Sequence, residues 1–252
     1  MYELYYWPGI PGRGEFIRLA FEDTGTPFVE VVADPNRGIA EMQRFLASSP
    51  ETLGVEGPIP LAPPFLRVER LVISQVANIL QFLGPKLGLV PSDEHGRLRV
   101  HQVQLTLADL VGEIHNTHHP IASNFYYEEQ KAEALRYTEN FLNVRVPKFL
   151  SYFERILTHN QAGKGTHLVG AEHTYVDLSL FQVLEGLHYA FPKTLKGLMP
   201  SYPALQALRE RVAARPLLSA YLASERRRKF NEHGIFRHYP ELEQTSVDAS
   251  AS

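Results

Sequence analysis

The apolar periodicity of this chain changes once, and that change limits its fold more than any other feature. Up to about residue 84, short aromatic and β-branched runs alternate with short helical stripes. Beyond a Gly/Pro-rich stretch, "GPKLGLVPSD" at 84–93, apolar residues recur at a spacing near 3.6 from about Glu94 to Glu225. Tyr2–Trp7 and Phe28–Val32 read as strands. Phe65–Val68 and Leu71–Ile73 flank Glu69-Arg70 as a tight hairpin. Gly14–Thr24, Ile39–Leu46 and Ser74–Leu83 carry helical stripes. The first part therefore reads βαβαββα and the second as an all-helical bundle.

The expected divisions are 1–84, 94–226 and a C-terminal tail at 227–252. Helix breaks are expected at His119-Pro120, Gln161–Gly165, Phe191-Pro192 and Pro200–Pro203. The run Arg226-Arg227-Arg228-Lys229 reads as a solvated helix end, favourable at the negative pole. The last dozen residues have little apolar periodicity and are expected to lack order.

Composition narrows the function. A net charge of −3 gives no basic face for nucleic acid, and no nucleic-acid partner is expected. No apolar run approaches the roughly 20 residues of a membrane helix. "MYELYYW" lacks a basic segment and a long apolar run, so no signal peptide is read and a cytoplasmic location is expected. The chain has no cysteine, which removes disulfides, thiolate metal sites and a protein thiol as nucleophile.

Three local patterns carry chemistry. In "YYWPGIPGRGE" (5–15) a strand runs into a Gly/Pro turn and then a helix, and Tyr5 and Tyr6 point to opposite faces. Pro63-Pro64 stands before the third strand, where a proline cannot donate to the ladder. Ser74-Gln75-Val76 opens a helix whose free N–H groups suit a carboxylate, with Ser74 also readable as a plain N-cap. In "EIHNTHHP" (113–120), His115, His118 and His119 have the i, i+3, i+4 spacing that could share a metal. The favoured reading is histidines at a helix end or in a pocket, and no metal is expected.

Together "YW…GRGE…FIRLAFEDTG", "PPFLRV", "SQVANILQFL" and the helical second half resemble the cytosolic glutathione transferases. The likeness covers nearly the whole chain and is to the tyrosine-type branches, mu, pi and sigma. In "GAEHTYVDLSLFQVL", Thr174-Tyr175-Val176-Asp177 has the S/T-x-x-D form of the family's N-capping box. "YPALQALRERVAARPLLSAYL" (202–222) looks like its closing helices. The resemblance implies a thioredoxin-like domain joined to a helical domain, with a cis bond at Pro64 that turns the Ala62-Pro63 backbone toward the cleft. It implies glutathione as co-substrate, a small-molecule electrophile as partner, and a homodimer.

The resemblance also implies roles. Tyr6 would donate its hydroxyl to the glutathione thiolate. Trp7, Arg13, Pro63, Pro64, Gln75 and Val76 would surround glutathione. His115, His119 and Tyr126 would line the electrophile pocket, and Asp109 matches a carboxylate that reaches the partner subunit's glutathione. Two features depart from the pattern. The family has Ser or Thr where Val76 stands, so a backbone N–H is offered without a hydroxyl, and the Pro8–Pro11 loop is one residue longer. These departures and the basic tail motivate an alternative, a non-catalytic binding or interaction module on the same fold.

Overall fold

A computed structural model describes residues 1–246. Four short strands form one mixed sheet: β1 (Tyr2–Tyr5), β2 (Phe28–Glu30), β3 (Phe65–Val68) and β4 (Leu71–Ser74), in the order β2-β1-β3-β4. β1 runs parallel to β2 and antiparallel to β3, and β3 and β4 form the hairpin. Its two-residue turn puts Glu69 at φ 58. Helix α1 (Glu15–Thr24) makes the crossover from β1 to β2, α2 (Gly38–Ala47) and α3 (Pro50–Leu53) connect β2 to β3, and α4 (Val76–Leu87) follows β4.

The second part is helical: α5 (Glu94–Asn116), α6 (Lys131–Asn140), α7 (Val146–His159), α8 (Tyr175–Ala190), α9 (Pro192–Leu198), α10 (Pro203–Ala213) and α11 (Pro216–Leu222). A π-helical segment, Phe141–Arg145, joins α6 to α7. No strand follows Asp93 among the described residues. Three of these helices begin with proline as their first residue, where the missing N–H has no intrahelical partner to lose.

Helix α1 explains how the two parts hold together. Ile17 and Phe21 pack on the sheet with Leu4, Leu66 and Ile79, while Phe16, Leu19 and Ala20 join the core of the helical part. An apolar stripe wide enough to face both ways makes α1 the central layer. Helix α8 starts on the capping box expected from sequence. The Thr174 N–H donates to Asp177 Oδ2 at 2.8 Å, the Thr174 hydroxyl does so at 3.0 Å, and the Leu168 N–H donates to Asp177 Oδ1 at 2.9 Å.

Three local expectations are corrected. Ser74 does not cap a helix: it ends β4 opposite Phe65, and Gln75 at φ 69 turns the chain so that α4 starts at Val76. Gly84 and Pro85 lie inside α4, which runs on to Leu87 before Gly88 closes it in the left-handed region at φ 68. Pro85 falls in the last turn, so it interrupts little of the hydrogen-bond ladder. β2 is shorter than expected, because Val31–Ala33 turn into a 3-10 helix.

The tail is the larger correction. Ile235, Phe236 and Leu242 are core residues, and Pro240–Ser246 form a 3-10 helix where disorder was expected. Residues 247–252 of that expectation lie outside the described residues. Arg227 and Arg228 are not a solvated helix end either. Arg227 pairs with the buried Glu15 and Arg228 with Glu30, carboxylates about two hundred positions earlier. Burial alone would raise the Glu30 carboxyl; the Arg228 hydrogen bond and the Arg18 charge overcome that and hold it below its ordinary range.

Candidate functional site

Tyr6 follows the last residue of β1. The alternation of the strand sends Tyr5 and Tyr6 to opposite sides, and their surroundings differ. Tyr5 is fully buried on the α2 side, stacked on Phe65 at 4.3 Å, with its hydroxyl accepting from Arg37 at 2.8 Å. Tyr6 is 7% exposed, and its hydroxyl accepts the Arg13 N–H at 2.7 Å. Since the oxygen is met by that donor, the phenolic proton is left to donate outward. Burial, the largest effect, holds the Tyr6 phenol above its ordinary pKa against the opposing hydrogen bond and charge of Arg13 and the charge of Arg18. At neutral pH it is therefore a donor, not a phenolate.

The glycines of "GRG" are needed by this ring. A Cβ on Gly12 would lie 2.1 Å from the Tyr6 hydroxyl oxygen, and one on Gly14 would lie 2.6 Å from a ring carbon. Gly12 also has φ 46. The Pro8–Pro11 loop is held from two sides. Arg18 Nη1 donates to the Pro11 carbonyl at 3.1 Å, and Asn231 of the tail donates to the Gly9 carbonyl at 3.0 Å. Trp7 stands 40% exposed at the start of this loop.

Arg13, Gln75 and Val76 line one cavity of about 360 Å³ between α4 and α5. Gln75 makes no side-chain cap, so the first N–H groups of the 12-residue α4 are free at its rim. The Pro63-Pro64 bond is cis, as expected, and Phe65 beside it pairs with Ser74, the residue before Gln75. The chain thus gathers Tyr6, Arg13, Pro63, Pro64, Gln75 and Val76 around the β1–α1 turn and the start of α4. The Arg13 guanidinium has no carboxylate within ion-pair distance among the described residues. Two wall residues had no signal in the sequence: His101 and the buried Gln104 of α5. The His101 Nδ1 and Gln104 Oε1 atoms are buried without a partner. Polar residues inside a long helix look solvent-facing until the neighbouring helix is placed.

His115 lies in the last turn of α5, His118 and His119 follow just past its end, and none of the three lines the cavity between α4 and α5. His115 is half-buried, and its pKa is pushed down to about 4, chiefly by burial and then by the charges of Arg13, His119 and Arg237. His119 Nδ1 lies 3.1 Å from Gln130 Nε2. Tyr126 is 77% exposed on a surface turn and is not brought to this cluster. Arg237 and Asn231 come from the tail, where no apolar periodicity marks a packed segment. Asp109 lies on α5 outside the cavity lining.

Residues 115–225 match the family model described as glutathione S-transferase, C-terminal domain. Glutathione S-transferase P 1 of Xenopus laevis is 30% identical over 229 residues, covering 90% of this chain and 94% of that protein. The chain belongs to the glutathione S-transferase family. Glutathione S-transferase P 10 of Caenorhabditis elegans is 28% identical and covers 87% of this chain and 90% of its own length. The Pi-class glutathione S-transferase of Onchocerca volvulus shares the fold at a TM-score of 0.65 and 22% identity, covering 87% of this chain and 91% of that one. The family's two-part architecture, a thioredoxin-like sheet domain and a helical domain, accounts for the element order above. No helix among the described residues is long and apolar enough to cross a membrane.

Proposed function

We propose that this transferase binds reduced glutathione with its γ-glutamyl carboxylate at the α4 N-terminus and its sulfur at Tyr6, and transfers it to a small electrophile. The observation that carries the reading is the Tyr6 hydroxyl: buried, met by the Arg13 N–H at 2.7 Å, and keeping its own proton to donate. A donor held there favours the charged form of a thiol and lowers its pKa. Free thiols titrate near 8.5, so a drop of about two units makes the sulfur mostly thiolate at neutral pH. The thiolate attacks the electrophilic carbon. A C–S bond forms, and the leaving group departs with its electron pair or the adduct takes a proton from water. The protein orients and stabilises, while the chemistry belongs to the tripeptide.

At the other end, the N–H groups of the first turn of α4 and the Arg13 guanidinium receive the carboxylate. Val76 supplies its N–H alone, and the missing hydroxyl costs about 1 kcal/mol of binding. Pro63, Gln75 and Trp7 complete the surroundings of the tripeptide. The same reading makes the protein a homodimer in the cytoplasm, where glutathione is kept reduced. Calorimetry with reduced glutathione tests it. The expected result is saturable binding that Arg13→Ala weakens. No binding at millimolar glutathione refutes it in favour of a non-catalytic module.

A further inference from the structure

The rings of His115, His118 and His119 form a triangle at the end of α5, with centroids 5.0, 4.9 and 4.8 Å apart. One ring nitrogen from each lies within 4.8 Å of the others. The middle ring is the informative one. His118 is 1% exposed, and its Nε2 lies 2.8 Å from the Ile235 carbonyl of the tail. A carbonyl only accepts, so Nε2 carries the proton and donates it. In the neutral ring the lone pair is then on Nδ1, and that atom is buried with no partner. An unmet buried acceptor costs about 1–3 kcal/mol. A backbone carbonyl on one nitrogen and a bare second nitrogen is also how proteins orient a metal-binding histidine.

His119 is oriented from the other side. Gln130 Oε1 accepts the Ile121 N–H at 2.9 Å, which fixes Nε2 as the donor end of the amide. That nitrogen faces the Ala122 and Phe125 carbonyls at 3.1 and 3.2 Å as well as His119 Nδ1 at 3.1 Å. The Phe125 carbonyl also accepts a hydrogen bond from the His119 ring, and in the neutral ring this leaves the other nitrogen bare.

We propose that His115, His118 and His119 form a mononuclear site for a borderline divalent cation such as zinc, cobalt or nickel, with a fourth position open to an exogenous ligand. Three imidazoles suit these ions by ligand type, and three protein ligands with one open position is a common zinc arrangement. Metal–nitrogen bonds of about 2.0–2.1 Å require the nitrogens to close in by side-chain rotation. The charges of Arg237 on all three rings and of Arg13 on His115 oppose a bare dication. The site therefore favours an anionic fourth ligand, namely hydroxide, chloride or a thiolate. Nothing in the glutathione reading requires this ion, and the sequence alone had pointed to no metal.

The test starts from chelator-treated protein titrated with cobalt, followed by visible absorption, and with zinc, followed by calorimetry. The expected result is one equivalent per chain, a four-coordinate cobalt spectrum, and displacement of cobalt by zinc. His115→Ala and His119→Ala, each checked for native circular dichroism, should weaken binding by about tenfold or more. His167→Ala probes the second cluster on the chain, His167, His173 and Asp177, and should leave the titration unchanged. No saturable cobalt uptake at millimolar metal, or uptake lost in His167→Ala and kept in His115→Ala, overturns the proposal. So does unchanged metal uptake in His115→Ala alongside altered affinity for an anionic electrophile, which would assign the histidines to substrate.

Discussion

Replacing Tyr6 with phenylalanine removes one oxygen and little else. The ring remains against Gly12 and Gly14, but the Arg13 N–H loses its acceptor and the bound sulfur loses its donor. Two estimates bracket the effect. If the thiol pKa returns from about 6.5 to about 8.5, the thiolate fraction at pH 7 falls from roughly three quarters to roughly 3%, a loss of about 25-fold. Removing one preorganised donor to developing charge costs about 10²–10³ in rate elsewhere. A fall between about 25-fold and 10³-fold at pH 7 is expected, shrinking as pH rises and the thiol ionises unaided. The assay is a pH–rate profile with a generic aromatic electrophile, together with glutathione affinity by calorimetry. The apparent thiol pKa should rise toward 8.5, with affinity little changed. Tyr5→Phe is the control: it loses the Arg37 hydrogen bond on the opposite face and some stability, but its pH profile should match the wild type. Equal rate losses in both variants, or an unmoved pKa in Tyr6→Phe, would refute the assignment of Tyr6.

Gly14→Ala should act on the same hydroxyl by contact. Its Cβ would meet the Tyr6 ring at 2.6 Å, so overpacking should cost about 1–3 kcal/mol in urea unfolding and displace the phenol, with at least about a tenfold fall in rate; wild-type kinetics would show that the ring position does not matter. Asp177→Ala strips acceptors from the Thr174 and Leu168 N–H groups and should cost on the order of 1–3 kcal/mol. An unchanged melting temperature would remove the capping box from the stability of α8.

What was legible in the sequence is what is local. The stripe of α1, the hairpin around Glu69-Arg70 and Thr174-x-x-Asp177 each act within a few residues, so their spacing carries the information. Strand alternation shows only that Tyr5 and Tyr6 face opposite ways, and the choice of Tyr6 came from the family resemblance; the reason for Gly12 and Gly14 appears only when the ring lies against them. The tail was not legible because its partners are remote. Arg228 finds Glu30 and Ile235 finds His118, at separations of 198 and 117 positions, and no periodicity marks either pair. The His triad was visible as spacing. The proton position on His118, which makes it a candidate ligand, depends on a carbonyl from the other end of the chain.

The same remote pairing yields a prediction about how the tail holds the site. Glu15 opens α1 with no exposed surface, and three groups meet its carboxylate. Arg18 Nη1 lies at 3.1 Å, the Tyr221 hydroxyl donates at 2.7 Å, and Arg227 pairs with it from the tail. Arg227 also donates to Gln182 at 2.9 Å, so it ties the first turn of α1 to α8. Breaking a buried pair by removing one partner costs about 3–5 kcal/mol when the other charge is stranded. Here Arg18 and Tyr221 still meet Glu15, which brings the expected loss for Arg227→Met to about 2 kcal/mol. Glu15→Gln removes the charge that Arg227 answers, so in Glu15→Gln the added Arg227→Met change should cost less by about 1 kcal/mol or more. Urea unfolding of the two single variants and the double variant measures that coupling. Because Asn231 reaches Gly9 four residues further along, Arg227→Met should also speed amide exchange in the Gly9–Gly12 loop more than in the sheet. Additive losses in the unfolding cycle would mean that Arg227 and Glu15 are neighbours without being coupled, and that the tail steadies the β1–α1 turn through Asn231 alone.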